Sequence, residues 1–249
     1  MSIAVGYKFR DGVIIGADSE AVDGTAKFET SKISTIVTKG ATLVCATAGH
    51  AGHINKVAAI IQAELQKLPN AKHRDIEEDP IRQCIDYAVA EVYQRFIFRH
   101  PGSETGQGPA AQFVIGLWSK GLGTALLLSN EDAVVDELYN FAVAGMGSSF
   151  ARWIGGNLFR PDMSQAEAIR LAVHVLHLTK TNVIHCGMQT ELWVLTNDGE
   201  LTTVPVSQIS RCEGYSDRFA HASNALFFDM ARRRGYVKKT TGRTDKPRG

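Results

Sequence analysis

The stretch Ser2-Ile-Ala-Val-Gly-Tyr-Lys-Phe-Arg-Asp-Gly-Val-Ile-Ile-Gly-Ala-Asp18 decides how this chain is read. Ile3, Val5, Tyr7 and Phe9 alternate with Ser2, Ala4, Gly6 and Lys8, the period-two mark of a strand. Arg10-Asp11-Gly12 signals a hairpin, and residues 13–17 form an apolar return strand. A three-residue loop with Gly12 in the left-handed position predicts Phe9 opposite Val13 and Ala4 opposite Asp18. In that register Ile3, Val5, Tyr7, Phe9, Val13, Ile15 and Ala17 share one face. Ser2, Ala4, Gly6, Gly16 and Asp18 share the other, and a slip of one residue would mix the two sets.

Ser2 and Asp18 then lie near one end of the hairpin, separated by about two residues of rise, roughly 7 Å. A lysine from a neighbouring strand spans that gap, and the strand Ser31-Lys32-Ile-Ser-Thr-Ile-Val37 supplies Lys32. Lys27, in the polar connection 22–27 that turns at Gly24, is a rival in a weaker context. Initiator methionine is normally trimmed before a residue as small as serine, so Ser2 would carry a hydroxyl and a free α-amine together. An α-amine has an ordinary pKa near 8 and serves as a general base where a lysine cannot. Lys32, paired with Asp18, would favour the ionised hydroxyl.

Together, residues 2–18, the "SKISTI" strand and the "CATAGHAG" segment before a helix resemble the proteasome β-type subunits, including the bacterial HslV type. The resemblance implies a four-layer α/β/β/α sandwich of two antiparallel sheets, the N-terminal-nucleophile hydrolase fold. It also implies peptide-bond hydrolysis in a chamber of stacked homo-oligomeric rings of six or seven subunits, fed by a separate ATP-driven unfoldase. The family nucleophile, aspartate, lysine and oxyanion glycine fall on Ser2, Asp18, Lys32 and Gly49, and its small pocket positions on Ala21, Thr30, Thr47 and Ala51. Serine for threonine keeps hydroxyl and amine and loses a rotamer-restricting methyl.

Three positions depart from the family pattern. Met146, in the turn Gly145-Met-Gly147, stands where the family has a serine. Asn182 and His185, in Lys180-Thr-Asn-Val-Ile-His-Cys-Gly187, stand where it has an aspartate and a second serine. An amide still bonds a hydroxyl, and a histidine can shuttle a proton. Two other readings follow from these departures and the shared fold: a non-catalytic ring subunit acting as scaffold or gate, and a small-molecule amidase.

The rest of the chain reads as packing around this start. Ile54, Val57, Ala58, Ile61, Leu65 and Leu68 mark a helix directly after Gly49, whose leading amides point towards Ser2. Residues 70–78 read as a solvated loop, and Asp79-Pro80 caps a helix to about Phe98 with Ile81, Cys84, Ile85, Ala88, Val92 and Phe96 inward. His100 to Pro109 is a breaker segment read as a connection. Strands at 112–118, 124–129, 134–138 and 141–144 are expected to form the second sheet, completed by 191–195 and 201–206 around Asn197-Asp-Gly199. Ser164 and Glu167 form a capping box that opens one helix, and residues 216–234 form the last.

Composition narrows the function classes. Residues 1–237 are read as one domain, with 44% apolar content and a basic, disordered tail over 238–249. A net charge of +1 argues against a nucleic-acid partner. No apolar run spans a membrane and no signal peptide is visible, and four dispersed cysteines fit a reduced cytoplasmic protein. His50-x-x-His53 and His174-x-x-His177 lack a third ligand at suitable spacing, so they read as helix histidines and not as a metal site. No cofactor is implied, and the turn at Gly145 lacks the lysine-serine continuation of an ATP-hydrolysing loop. The intact mass of the purified chain is expected to be one methionine residue below the encoded value. A retained Met1 would block the amine and favour the non-catalytic reading.

Overall fold

The computed structural model describes residues 2–23, 25–68, 79–104 and 108–233. Met1, Gly24, the loop 70–78, part of the 100–109 connection and the tail 238–249 lie outside the described residues.

Strands β1 (Ile3–Phe9) and β2 (Gly12–Asp18) form the N-terminal hairpin. A short ribbon follows, β3 (Glu20–Asp23) with β4 (Ala26–Glu29). Next come β5 (Ile33–Val37), β6 (Ala41–Gly49), α1 (Ala51–Lys67) and α2 (Pro80–Val92). The middle of the chain is β7 (Ala111–Ser119), β8 (Gly123–Ser129), β9 (Val135–Leu138) and β10 (Phe141–Gly145). Helices α3 (Ser148–Leu158) and α4 (Gln165–Asn182) lead to β11 (Thr190–Thr196), β12 (Leu201–Thr203) and α5 (Val206–Arg233).

Two antiparallel five-stranded sheets result, in the orders β10-β1-β2-β11-β12 and β5-β6-β7-β8-β9. Three apolar clusters define four layers. One joins the first sheet to α3, α4 and the start of α5; a second joins the other sheet to α1 and α2. The third, with Ala4, Val13, Ile15, Ala17, Val44, Val114 and Leu126, lies between the sheets. The expected α/β/β/α sandwich is therefore present.

Strand membership differs from the expectation, because β10 pairs with β1, and β11 pairs with β2. The hairpin thus lies at the centre of its sheet, and its open end carries Ser2 and Asp18 into the interior. Chain order alone does not say which strands become neighbours; burying both faces of the hairpin does.

The hairpin register also corrects the sequence reading. Phe9 pairs with Gly12 and Ala4 with Ala17, around a two-residue turn at Arg10-Asp11. Val13, Ile15 and Ala17 therefore join Ala4 and Gly6 between the sheets, while Ile14, Gly16 and Asp18 share the helix-facing side with Ile3, Val5 and Tyr7. Alternation could not choose between registers because both faces are buried, so no polar face marked the outside. The small residues serve close sheet contact: a Cβ at Gly6 would lie 2.6 Å from Leu126 Cδ1 and 2.7 Å from Val114 Cγ1.

Three helix readings also change. A π turn at Tyr93–Ile97 follows α2, with the Phe98 amide bonded to the Tyr93 carbonyl, and it shifts the helical phase. Tyr93 and Ile97 are buried in consequence, and Phe96, expected inside, is exposed. The last helix begins at Val206, directly after Pro205 and ten residues earlier than expected, so the strand before it stops at Thr203. The caps at Asp79 and Ser164 form as expected, the latter as a full capping box. Among the described residues no helix is long and apolar enough to cross a membrane.

Gly6→Val is expected to destabilise the fold by about 1–3 kcal/mol through overpacking between the sheets, read as a lower urea midpoint. An unchanged midpoint would refute the close-contact role of this face.

Candidate active site

Ser2 precedes β1 and is 5% exposed. Its carbonyl is packed against Gly145, where a Cβ would lie 2.2 Å from the Ser2 oxygen and 2.9 Å from the Ala48 side chain. Gly145 has φ +95°, so this approach requires glycine on both steric and backbone grounds. The start of β1, the end of β10 and the end of β6 therefore meet at one point.

Gly49 closes β6 with φ +121°, and a Cβ there would lie 2.1 Å from the Ala110 carbonyl oxygen. Its neighbour His50 is the N-cap of α1 but makes no side-chain cap bond, and the first turn carries no acid. The leading amides and partial positive charge of α1 are thus left without a side-chain partner beside Gly49.

Asp18 ends β2 and is 1% exposed. Its Oδ1 accepts from the Ile3 amide at 3.0 Å and from Lys32 Nζ at 2.7 Å, and its Oδ2 accepts from the Gly187 amide at 3.0 Å. The lysine side chain is itself 7% exposed. Removing one partner of a buried ion pair costs about 3–5 kcal/mol because it strands the other charge. The contact survives the altered register because Asp18 is the last residue of its strand and its carboxylate can bridge to the Ile3 amide. Lys27, the rival lysine, pairs instead with Glu20 at 2.9 Å.

The four positions expected to line a pocket are placed differently. Thr47 is buried and gives both its amide, at 3.0 Å, and its hydroxyl, at 3.1 Å, to the Lys32 carbonyl, so it holds the lysine's backbone. Thr30 is exposed, and its amide bonds the Ser19 carbonyl. Ala21, half-buried, lies in β3, and Ala51, exposed, is the first residue of α1.

The connection between α4 and β11 closes the site. His185 and Met188 adopt positive φ of 68° and 59°, unusual for non-glycine residues. This shape aims the Gly187 amide at Asp18 and the Gln189 amide at Ser19 Oγ. Lys180 supports it from α4, donating to the Met188 carbonyl and to Glu213 of α5, both at 3.0 Å.

Cys186, which the sequence presents only as a dispersed thiol, belongs to this site. It is buried, and burial, reinforced by the Asp18 carboxylate and partly offset by the Lys32 cation, pushes its thiol up to about 11. A Cβ at Gly147 would lie 3.3 Å from both Cys186 Sγ and Ile3 Cβ, so the thiol fills the space beside β1. The structure does not bring Asn182 to the site: its side chain is exposed and donates back to the Leu178 carbonyl. Met146 is 52% exposed and has no donor to offer. Among the described residues no group of three His, Cys, Asp or Glu is placed to hold a metal ion.

Comparisons with known proteins bear on the family and the fold. The family model described as "Proteasome subunit" matches residues 2–195. A proteasome subunit beta from Nanoarchaeum equitans (strain Kin4-M) is 22% identical over 200 residues, covering 80% of this chain and 95% of that protein. Among solved structures, the Anbu (Gly-1) mutant from Hyphomicrobium sp. strain MC1 superposes with a TM-score of 0.73 at 17% identity, covering 91% of this chain and 96% of the other. The helical assembly of the Anbu complex from Pseudomonas aeruginosa gives 0.70 at 17% identity, covering 96% and 100%. A buried Asp18–Lys32 pair beside Ser2, held in two facing sheets between helical layers, thus sits in a chain that belongs to the proteasome subunit family.

Proposed function

We propose that this chain is a self-compartmentalising, proteasome-like peptidase subunit whose nucleophile is the Ser2 hydroxyl after removal of Met1. The observation that carries the reading is the buried Lys32 ammonium on Asp18, whose same carboxylate oxygen also holds the Ile3 amide. That amide belongs to the peptide bond following Ser2, so the cation and the nucleophile's backbone share one anchor.

In the proposed reaction the α-amine of Ser2 accepts the hydroxyl proton, directly or through water, as Oγ attacks the scissile carbonyl carbon. Lys32 favours the developing alkoxide, and the Gly49 amide with the uncapped start of α1 receives the oxyanion. The protonated amine returns the proton to the departing amine of the substrate, leaving an ester on Ser2. Water, deprotonated by the same α-amine, then releases the acyl group. The substrate class is unfolded protein or peptide. The working form is a homo-oligomer of stacked rings in the cytoplasm, supplied by a separate ATP-driven unfoldase.

A non-catalytic ring subunit is the second reading, supported by Met146 and by the outward-facing Asn182, neither of which supplies a bond at the nucleophile. Cys186 is not a rival nucleophile, because its raised pKa keeps the thiol protonated at neutral pH.

Ser2→Ala is expected to abolish cleavage of an unfolded protein substrate while leaving assembly intact; undiminished cleavage would exclude the mechanism. Lys32→Met is expected to lower turnover by about 100-fold or more. Because the base must be neutral, activity should rise with pH and level off above about 8, the ordinary range of an α-amine. Treatment with iodoacetamide at pH 8 should leave activity unchanged, since Cys186 titrates near 11; rapid loss of activity would make the thiol part of the chemistry.

A further inference from the structure

The connection from α4 to β11 delivers a backbone amide to Asp18 in a shape that is unfavourable by itself. His185 and Met188, on either side of Gly187, both hold positive φ, which non-glycine residues keep only where surrounding contacts fix them. One such contact comes from α4. Lys180 Nζ donates to the Met188 carbonyl at 3.0 Å. That carbonyl and the Gln189 amide belong to one peptide unit, and the amide donates to Ser19 Oγ at 2.9 Å. A planar peptide gripped at both ends is held against rotation. The backbone next to Gly187 is thus fixed between Lys180 and the residue that follows Asp18.

Lys180 is itself held. Its side chain is 12% exposed, and its second bond, to Glu213 Oε1 at 3.0 Å, keeps the ammonium paired. The same oxygen accepts from Thr190 Oγ at 3.4 Å, and Thr190 is the residue opposite Asp18 in the ladder between β2 and β11. His177 comes no closer to this carboxylate than 3.9 Å, and its Nε2 is engaged by Asp217 at 2.8 Å. Lys180 and Glu213 therefore hold the residues before and after Gln189, on the stretch that faces Asp18.

The consequence reaches the reacting end. Asp18 Oδ2 has the Gly187 amide as its donor, while Oδ1 is shared by Lys32 and the Ile3 amide. Releasing Oδ2 frees the carboxylate to turn, and a turn displaces Oδ1 and with it the Lys32 ammonium. We propose that Lys180 is a positioning residue of the active site: through the Met188 carbonyl it holds the Gly187 amide on Asp18, and so fixes Lys32 beside Ser2. This role rests on the proposed reaction for its effect on turnover, whereas its effect on the Gly187 amide is independent of any reaction.

The test compares full-length Lys180→Met with the double variant Lys180→Met, Glu213→Gln, in which no carboxylate is left without its cation and Thr190 keeps an acceptor. Cleavage of fluorescein-labelled casein and hydrogen exchange of peptides spanning residues 183–190 are measured together, with Ser2→Ala as the blank. Lys180→Met is expected to lower kcat about 10-fold or more with KM within about twofold of wild type, and to speed exchange at Gly187 and Gln189. Its thermal midpoint should fall. The double variant should regain the midpoint while kcat and exchange stay altered, and Lys180→Arg, which keeps a cation able to reach both acceptors, should restore kcat and exchange. Recovery of kcat together with the midpoint in the double variant makes Lys180 an ion-pair partner only and overturns the proposal. Unchanged exchange at Gly187 in Lys180→Met overturns it equally. Wild-type cleavage that does not depend on Ser2 overturns the peptidase reading, and the exchange measurement then decides the positioning role by itself.

Discussion

The contact between Lys32 and Asp18 organises this molecule. Asp18 belongs to one sheet, Lys32 leads into the edge strand of the other, and the Gly187 amide that completes the carboxylate's shell comes from the connection after α4. A charge removed from water must be met by partners in good geometry or the fold pays for it heavily. Both sheets and a strained connection are therefore brought to one place and held in register there. The fold places the cation beside Ser2 as a consequence of keeping it paired.

Close backbone approach is the second constraint. Gly145 admits the Ser2 carbonyl, Gly147 admits Cys186 and Ile3, and Gly6 lets the sheets touch. At Gly145 a methyl group would collide with backbone that cannot move cheaply, whereas at Gly6 and Gly147 the nearest atoms are side-chain ends of Leu126 and Thr179. The polar support behind them is continuous: Lys180 joins the 183–189 connection to Glu213, and Glu213 also accepts from Thr190 Oγ. The start of α5 is thereby coupled to the site.

The departures from the family pattern have different structural meanings. Met146 turns outward, and His185 takes a left-handed backbone conformation in the connection that brings the Gly187 amide to Asp18. Asn182 satisfies a helix carbonyl and stays at the surface. The Asp18 carboxylate takes its hydrogen bonds from two backbone amides and one lysine, none of them at these positions.

Much of this was legible in the chain itself. Alternation from residue 3, the hairpin turn and the caps at Asp79 and Ser164 are local signals, since each depends on neighbours a few residues away, and the pairing of Lys32 with Asp18 was expected from the geometry of the hairpin and the resemblance together. The hairpin register, the distribution of strands between sheets, the phase slip at Tyr93–Ile97 and the membership of Cys186 in the site were not legible. Each depends on which surfaces meet: a hairpin buried on both faces shows no polar side from which its register could be read, and a thiol gains its role from residues more than 150 positions away in the chain. Sequence determined the chemical inventory and the local elements. Tertiary packing decided which faces touch, because burial of both sides of a central hairpin is a property of the assembled layers and not of any one strand.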